Sequence, residues 1–156
     1  MKKAIVVSFA LLVAGGLSAI ASKAGAAEKG KKGGTAMLIP ADDIKWVDVP
    51  QMAGVKMAVV QGDATKGAHH SFVKLPAGFT APLHHHTADH YATVLSGTMV
   101  FTVDGKEQRL PAGSYFSFTG KRPHVTKCDA GADCVIYNDV RAKWDVVPED
   151  GKSPKM

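Results

Sequence analysis

From Ala36 to about position 140 the chain alternates short apolar runs with clusters of glycine, proline and aspartate. Eleven segments read as strands: 36–40, 44–49, 55–61, 69–75, 81–86, 90–95, 98–103, 106–110, 114–118, 124–128 and 134–139. The stretches between them, among them LPAGF, LSGT, VDGK and TGKRP, carry turn chemistry, because glycine supplies positive φ and proline presets a corner. Asp104-Gly105, between TMVFTV and KEQRL, is the strongest hairpin signal in the chain. Beyond the N-terminus, no window longer than about ten residues repeats its apolar positions with a 3.6-residue period. Many short strands with Gly/Pro turns predict an all-β domain, a sandwich or barrel, over 36–147. A polar tail, 148–156 (PEDGKSPKM), should lie loose beyond it.

The first 27 residues follow another pattern. Lys2 and Lys3 precede an apolar run from Ala4, and small residues with an Ala24-Gly25-Ala26 step follow. A basic start, an apolar stretch and a small-residue step make a secretory signal over 1–27. Gly15, Gly16 and Ser18 break the run, which favours a cleaved signal over a retained membrane anchor. Cleavage fits at Ala26 or Ala27, with Ala21 as a second site. Export changes the charge picture. The formal charge of +5 includes Lys2, Lys3 and Lys23, and from Glu28 onward 16 Lys plus Arg face 14 Asp plus Glu, a net of +2. Lys29, Lys31 and Lys32 lie in a Gly-rich segment, 28–35, that reads as a flexible linker. A basic face interleaved with stacking aromatics is absent, which argues against nucleic acid as a partner. The full chain, with 46% hydrophobic and 21% charged residues, has the means to bury a core. Cys128 and Cys134, in an oxidising compartment, read as a disulfide across a hairpin; five intervening residues are long for a metal or redox pair.

Seven histidines occur, and His84, His85, His86, His90 and His124 are five of them. On a strand, residues two apart project from one face, so His84 and His86 point together, and His90 shares their parity if the chain stays extended. His124 opens a separate strand after Pro123. Two neighbouring strands of a barrel can bring all four imidazoles to one point, where neutral imidazole suits a single divalent ion: Mn, Fe, Zn, Cu or Ni. His85 points the other way. Tyr91, Met99, Phe101, Tyr115, Phe116 and Phe118 are available to fill or line the interior, and His69 or His70 could add to it. Trp46 and Trp144, near the two ends of the fold, are expected to seal the barrel or a contact between subunits.

The spacing of these residues resembles the cupin superfamily. Gly78, five residues, His84-His85-His86, three residues, His90, six residues and Gly97 follow its first motif. His90 stands where the family usually has glutamate. Gly105, five residues, Pro111-Ala112-Gly113 and, later, His124 in KRPH resemble the second motif in small single-domain bacterial cupins. DHYATVLSGTM and GSYFSFTGKRPHVTKC look like a group of unassigned function, related to the cupin half of an anti-sigma factor. The resemblance covers about residues 52–140 and implies a single jelly-roll β-barrel. It implies metal-ligand positions at His84, His86 and His124, with His90 at the glutamate position. Asp89, adjacent to His90 but of opposite parity, is the competing fourth ligand or a supporting hydrogen-bond partner. An all-histidine shell leaves the ion's charge uncompensated and makes it a stronger Lewis acid. The resemblance further implies a small-molecule ligand or substrate and a homodimer, while the signal segment implies a periplasmic or secreted location with no membrane partner after its removal. Three- and four-histidine cupins include dioxygenases, so a metal-dependent dioxygenase or related enzyme is the leading expectation. A non-enzymatic metal- or ligand-binding module with structural zinc is the other.

Overall fold

The computed structural model describes residues 34–149. The expected signal segment 1–27, nearly all of the 28–35 linker and residues 150–156 of the tail lie outside the described residues. Contacts divide the chain after Met37, and every described strand belongs to the unit that starts at Leu38.

Among the described residues eleven strands form: β1 (Val47–Asp48), β2 (Lys56–Gly62), β3 (His69–Leu75), β4 (Thr80–His85), β5 (His90–Ser96), β6 (Thr98–Val103), β7 (Lys106–Pro111), β8 (Tyr115–Phe118), β9 (His124–Cys128), β10 (Cys134–Val140) and β11 (Val147–Pro148). They make two antiparallel sheets, ordered β1-β2-β3-β10-β5-β8 and β11-β4-β9-β6-β7. This is the all-β jelly roll expected. No helix among the described residues is long and apolar enough to cross a membrane.

Period-two burial builds the interior. On β3 and β10 every second residue is buried: His69, Ser71, Val73 and Leu75 on one, Cys134, Ile136, Asn138 and Val140 on the other. Val94 on β5 and Met99 on β6 are fully enclosed between the sheets. Each such Val, Leu or Met stabilises the fold by about 1.5–3 kcal/mol through removal of its side chain from water. The β6–β7 hairpin turns at Asp104 (φ 51°) and Gly105 (φ 73°), the pair of positive φ values that a two-residue primed turn demands.

Several expectations are corrected. Residues 36–40 form no strand. Leu38 is 89% exposed, Pro40 ends the segment, and a 3₁₀ turn follows over Ala41–Asp43. The segment 44–49 contributes only two strand residues, β1 at the edge of the larger sheet. The expected tail boundary at Pro148 falls inside β11, where Val147 and Pro148 pair with His85 and His84, and Glu149 N–H donates to the Leu83 carbonyl. Cys128 and Cys134 are bonded, but not across a hairpin. Cys128 ends β9 in the smaller sheet and Cys134 starts β10 in the larger one, so the bridge joins the two sheets.

Gly97 sits at the same seam, where the chain passes from β5 to β6. Its φ is +72°, and a Cβ there would stand 2.7 Å from the Asp133 carbonyl oxygen and 2.9 Å from the Cys134 sulfur. Only glycine fits that approach.

Candidate metal centre

Three elements bring the histidines together. β4 carries His84, with His86 just beyond its end; β9 lies beside it and starts at His124, the direct cross-strand partner of His84. β5, in the other sheet, starts at His90. Strict alternation would not place both Ala81 and His84 inside, because they are three apart. The pairing shifts between them, a bulge that contains Pro82, which has no N–H to donate to the ladder.

His84, His86 and His124 are buried, and one nitrogen of each lies within 4.8 Å of the others. An ion with bonds of about 2.0–2.2 Å separates two of its ligand nitrogens by at most about 4.4 Å, so only a slight contraction is needed. His90 is buried beside this trio rather than within it, its ring centroid 4.7 Å from that of His86 and 6.4 Å from that of His124. The structure thus gathers the four sequence candidates into one cavity, three tightly and one alongside.

Hydrogen bonds set which nitrogen each ring presents. Nδ1 of His84 donates to the Pro82 carbonyl at 2.6 Å, that of His124 to Arg122 at 2.9 Å, and that of His86 to Asp145 at 2.5 Å. His90 Nδ1 faces the Ala88 carbonyl at 3.5 Å. With Nδ1 carrying the proton, Nε2 keeps its lone pair for a ligand role. Burial reinforces this. Desolvation is the leading cause that lowers all four, His86 to about 2, His90 and His124 to about 4, and His84 in the same direction. The carbonyl bonds oppose the shift, and mutual repulsion among the rings adds to it. Four neutral imidazoles therefore face one cavity near neutral pH, which is the donor set a divalent ion requires.

Aromatic side chains brace the rings. Phe118 stacks on His124 at 3.7 Å between centroids, and Trp144 stacks on His86 at 4.1 Å and meets His90 edge-on at 5.3 Å. Trp144 is thus a wall of the site rather than a distant seal. Its position follows from the Trp144 N–H bond to the Ala64 carbonyl and from the β11–β4 pairing just beyond it. The pattern around AKWDVV carried no signal for this. Trp46 lies elsewhere, under the Lys74 ammonium at 5.4 Å.

The remaining candidates separate cleanly. His85 turns outward and pairs with Glu149 at 2.6 Å. Asp89 accepts the Gly120 N–H at 2.9 Å and is not part of the three-histidine cluster. Met99, Phe101, Phe116 and Phe118 are buried in the interior, whereas Tyr115 is 62% exposed and Tyr91 sits outside under Arg141. His70 also faces out, its Nδ1 hydrogen-bonded with the Tyr137 hydroxyl at 2.8 Å. His69 is buried, with Nδ1 donating to the Gly67 carbonyl at 3.0 Å.

The sequence description of the family "Cupin domain" matches residues 71–138. No curated protein matches the chain. Among solved structures, the polyketide cyclase RemF from Streptomyces resistomycificus superposes with a TM-score of 0.62 at 17% identity, over 75% of this chain and 90% of that one. A "predicted oxalate decarboxylase" from Thermotoga maritima gives 0.57 at 22%, over 68% and 99%. The Rhodobacter sphaeroides complex of SigE with the anti-sigma ChrR gives 0.52 at 22%, over 65% and 51%. At these identities the likeness carries the fold alone.

Proposed function

We propose that this chain, which belongs to the cupin superfamily, holds one divalent metal ion with His84, His86, His124 and His90 and acts there on a small molecule, as a dioxygenase or a related metal-dependent enzyme. The supporting observation is that four neutral imidazoles, with Nδ1 on carbonyls, border a cavity instead of being packed shut. A bound ion would supply Lewis acidity and, if redox-active, access to dioxygen chemistry. The chain's own contribution is positional. Phe118 and Trp144 fix the planes of His124 and His86, the carbonyls fix the tautomers, and the apolar walls exclude water from the reacting groups.

The likeness to a polyketide cyclase and to a predicted oxalate decarboxylase supports chemistry on oxygen-bearing carbon compounds. The likeness to the anti-sigma ChrR complex supports the other reading, a non-enzymatic module with structural zinc. Export to the periplasm or beyond is supported by the Cys128–Cys134 disulfide.

Elemental analysis of the native protein beside His84→Ala and His124→Ala tests the centre. One ion per chain in the native protein and little in either variant is expected; full metal in both variants refutes the site. Oxygen uptake or product formation on a panel of diketones and polyphenols tests the reaction. Stoichiometric zinc without turnover selects the binding module.

A further inference from the structure

Nothing around the histidine centre offsets the charge of an ion held there. The four Nδ1 atoms face main-chain carbonyls, those of Pro82, Asp145, Ala88 and Arg122, and no carboxylate. Among the described residues no Asp, Glu, Lys or Arg lines the cavity. Asp89, Asp145 and Glu149 are engaged elsewhere, on the Gly120 N–H, on the Thr87 N–H at 2.7 Å and on His85. A divalent ion among neutral rings and apolar walls keeps its whole charge, and a charge left unpaired in such surroundings is costly. The centre therefore favours an anionic ligand.

Size and lining decide what else that ligand carries. The space beside the rings is about 70 Å³, under half of the roughly 150 Å³ that holds a benzene molecule. It has room for an anionic head and a few carbons. A groove of about 510 Å³ lies against it, and Met52, Phe79, Ala81 and His84 border both. Met52, unbranched and polarisable, is the part of this shared wall that repacks most readily. The groove is flanked by Pro82 and Leu83 on β4 and by Val146 and Pro148 at β11. Leu83 is 47% exposed there, apolar surface that a ligand would cover.

We infer that the groove is the outer half of one binding site: the site takes an amphiphilic monoanion, with its carboxylate or enolate oxygen at the histidine centre and its apolar tail running past Met52 and Phe79 onto Leu83 and Val146. The inference rests on the metal-centre reading above and adds the ligand class to it. Head and tail are recognised separately, the head by charge and the tail by removal of apolar surface from water. Neutral amphiphiles lack the first contribution, and acetate lacks the second.

The probes are acetate, butyrate, hexanoate and octanoate, with 1-octanol as the neutral comparison. Binding is read by calorimetry or ligand-observed NMR on the metal-containing native protein, with metal content measured on every sample. Affinity should rise by about tenfold for each two carbons added, somewhat less than full burial of two methylenes gives, because the groove is open to water on one side. Octanoate should bind at least tenfold more tightly than 1-octanol, and chelation of the metal should abolish that advantage. Leu83→Asp should keep its metal and lower the octanoate-to-acetate affinity ratio at least tenfold. Leu83→Ser, a milder change, gives the same comparison should the aspartate variant not fold. Equal affinities for acetate and octanoate overturn the inference, as does a ratio unchanged in both Leu83 variants. So does 1-octanol binding as tightly as octanoate, or an octanoate advantage that survives chelation. Native protein without metal instead refutes the centre itself, so the two failures are distinguishable.

Discussion

Replacing both Cys128 and Cys134 with alanine should lower stability sharply and leave the metal centre intact. The bridge closes a loop with a sequence separation of 6, for which chain entropy gives about 2.3 kcal/mol at room temperature. Both sulfurs are buried, and their removal from a packed seam costs up to a further ~1–2 kcal/mol. For a domain of this size each kcal/mol moves the melting temperature by about 4 °C, so a drop of roughly 10–15 °C is expected. The metal prediction comes from placement. β9 runs from His124 to Cys128, and β5 from His90 to the residue before Gly97. Four steps at about 3.3 Å separate His124 from the bridge by about 13 Å, beyond the range at which perturbations usually couple. The assay is thermal unfolding by circular dichroism under oxidising conditions, with elemental analysis of the folded variant. A fall of less than about 3 °C, or a variant that folds but has lost its ion, refutes this division of the barrel into a metal end and a bridged end.

Gly97→Ala should destabilise at least as much as loss of the bridge, because positive φ and a contact under 3 Å with the Asp133 carbonyl act together; a melting temperature within 2–3 °C of native in thermal unfolding would contradict the geometry. In chelator-treated protein the depressed histidines make stability pH-dependent. Their folded pKa values lie below the ordinary 6.5, so between about 6.5 and 4 the unfolded chain binds protons that the folded one refuses. Stability therefore falls as pH drops through that window, by up to about 1.4 kcal/mol per pH unit for each histidine. Urea midpoints that stay flat from pH 7.5 to 4.5 would show that the rings are not desolvated as the structure has them.

Much of this architecture was legible in the order of residues. Strands 69–75, 98–103 and 124–128 coincide with the observed ones, because period-two patterning and turn residues are local properties. Asp104-Gly105 makes its hairpin for the same reason. The histidine spacing pointed to four rings that do border one cavity, yet parity alone cannot foresee the Pro82 bulge that keeps both Ala81 and His84 inside. What stayed hidden depends on distant partners. Residues 36–40 have strand composition but no neighbour to pair with, whereas Val147-Pro148 pairs because β4 offers a free edge. Trp144 reaches His86 across 58 positions, and Cys128 meets Cys134 across two sheets.

The bulge at Pro82 has a consequence for how such a centre can change over time. It lets the ring-bearing end of β4 rotate relative to the part that anchors the strand through Ala81, so the face offered by positions 84 and 86 is decoupled from the pattern upstream. One inserted or deleted residue there would swap which of the three consecutive histidines look inward. After such a slip His85 would face inward with Leu83 or Thr87 in place of the present pair, so one imidazole would remain where there are now two. The triple run thus keeps one ligand from this strand through an error of register that would remove every ligand from a strand with isolated histidines.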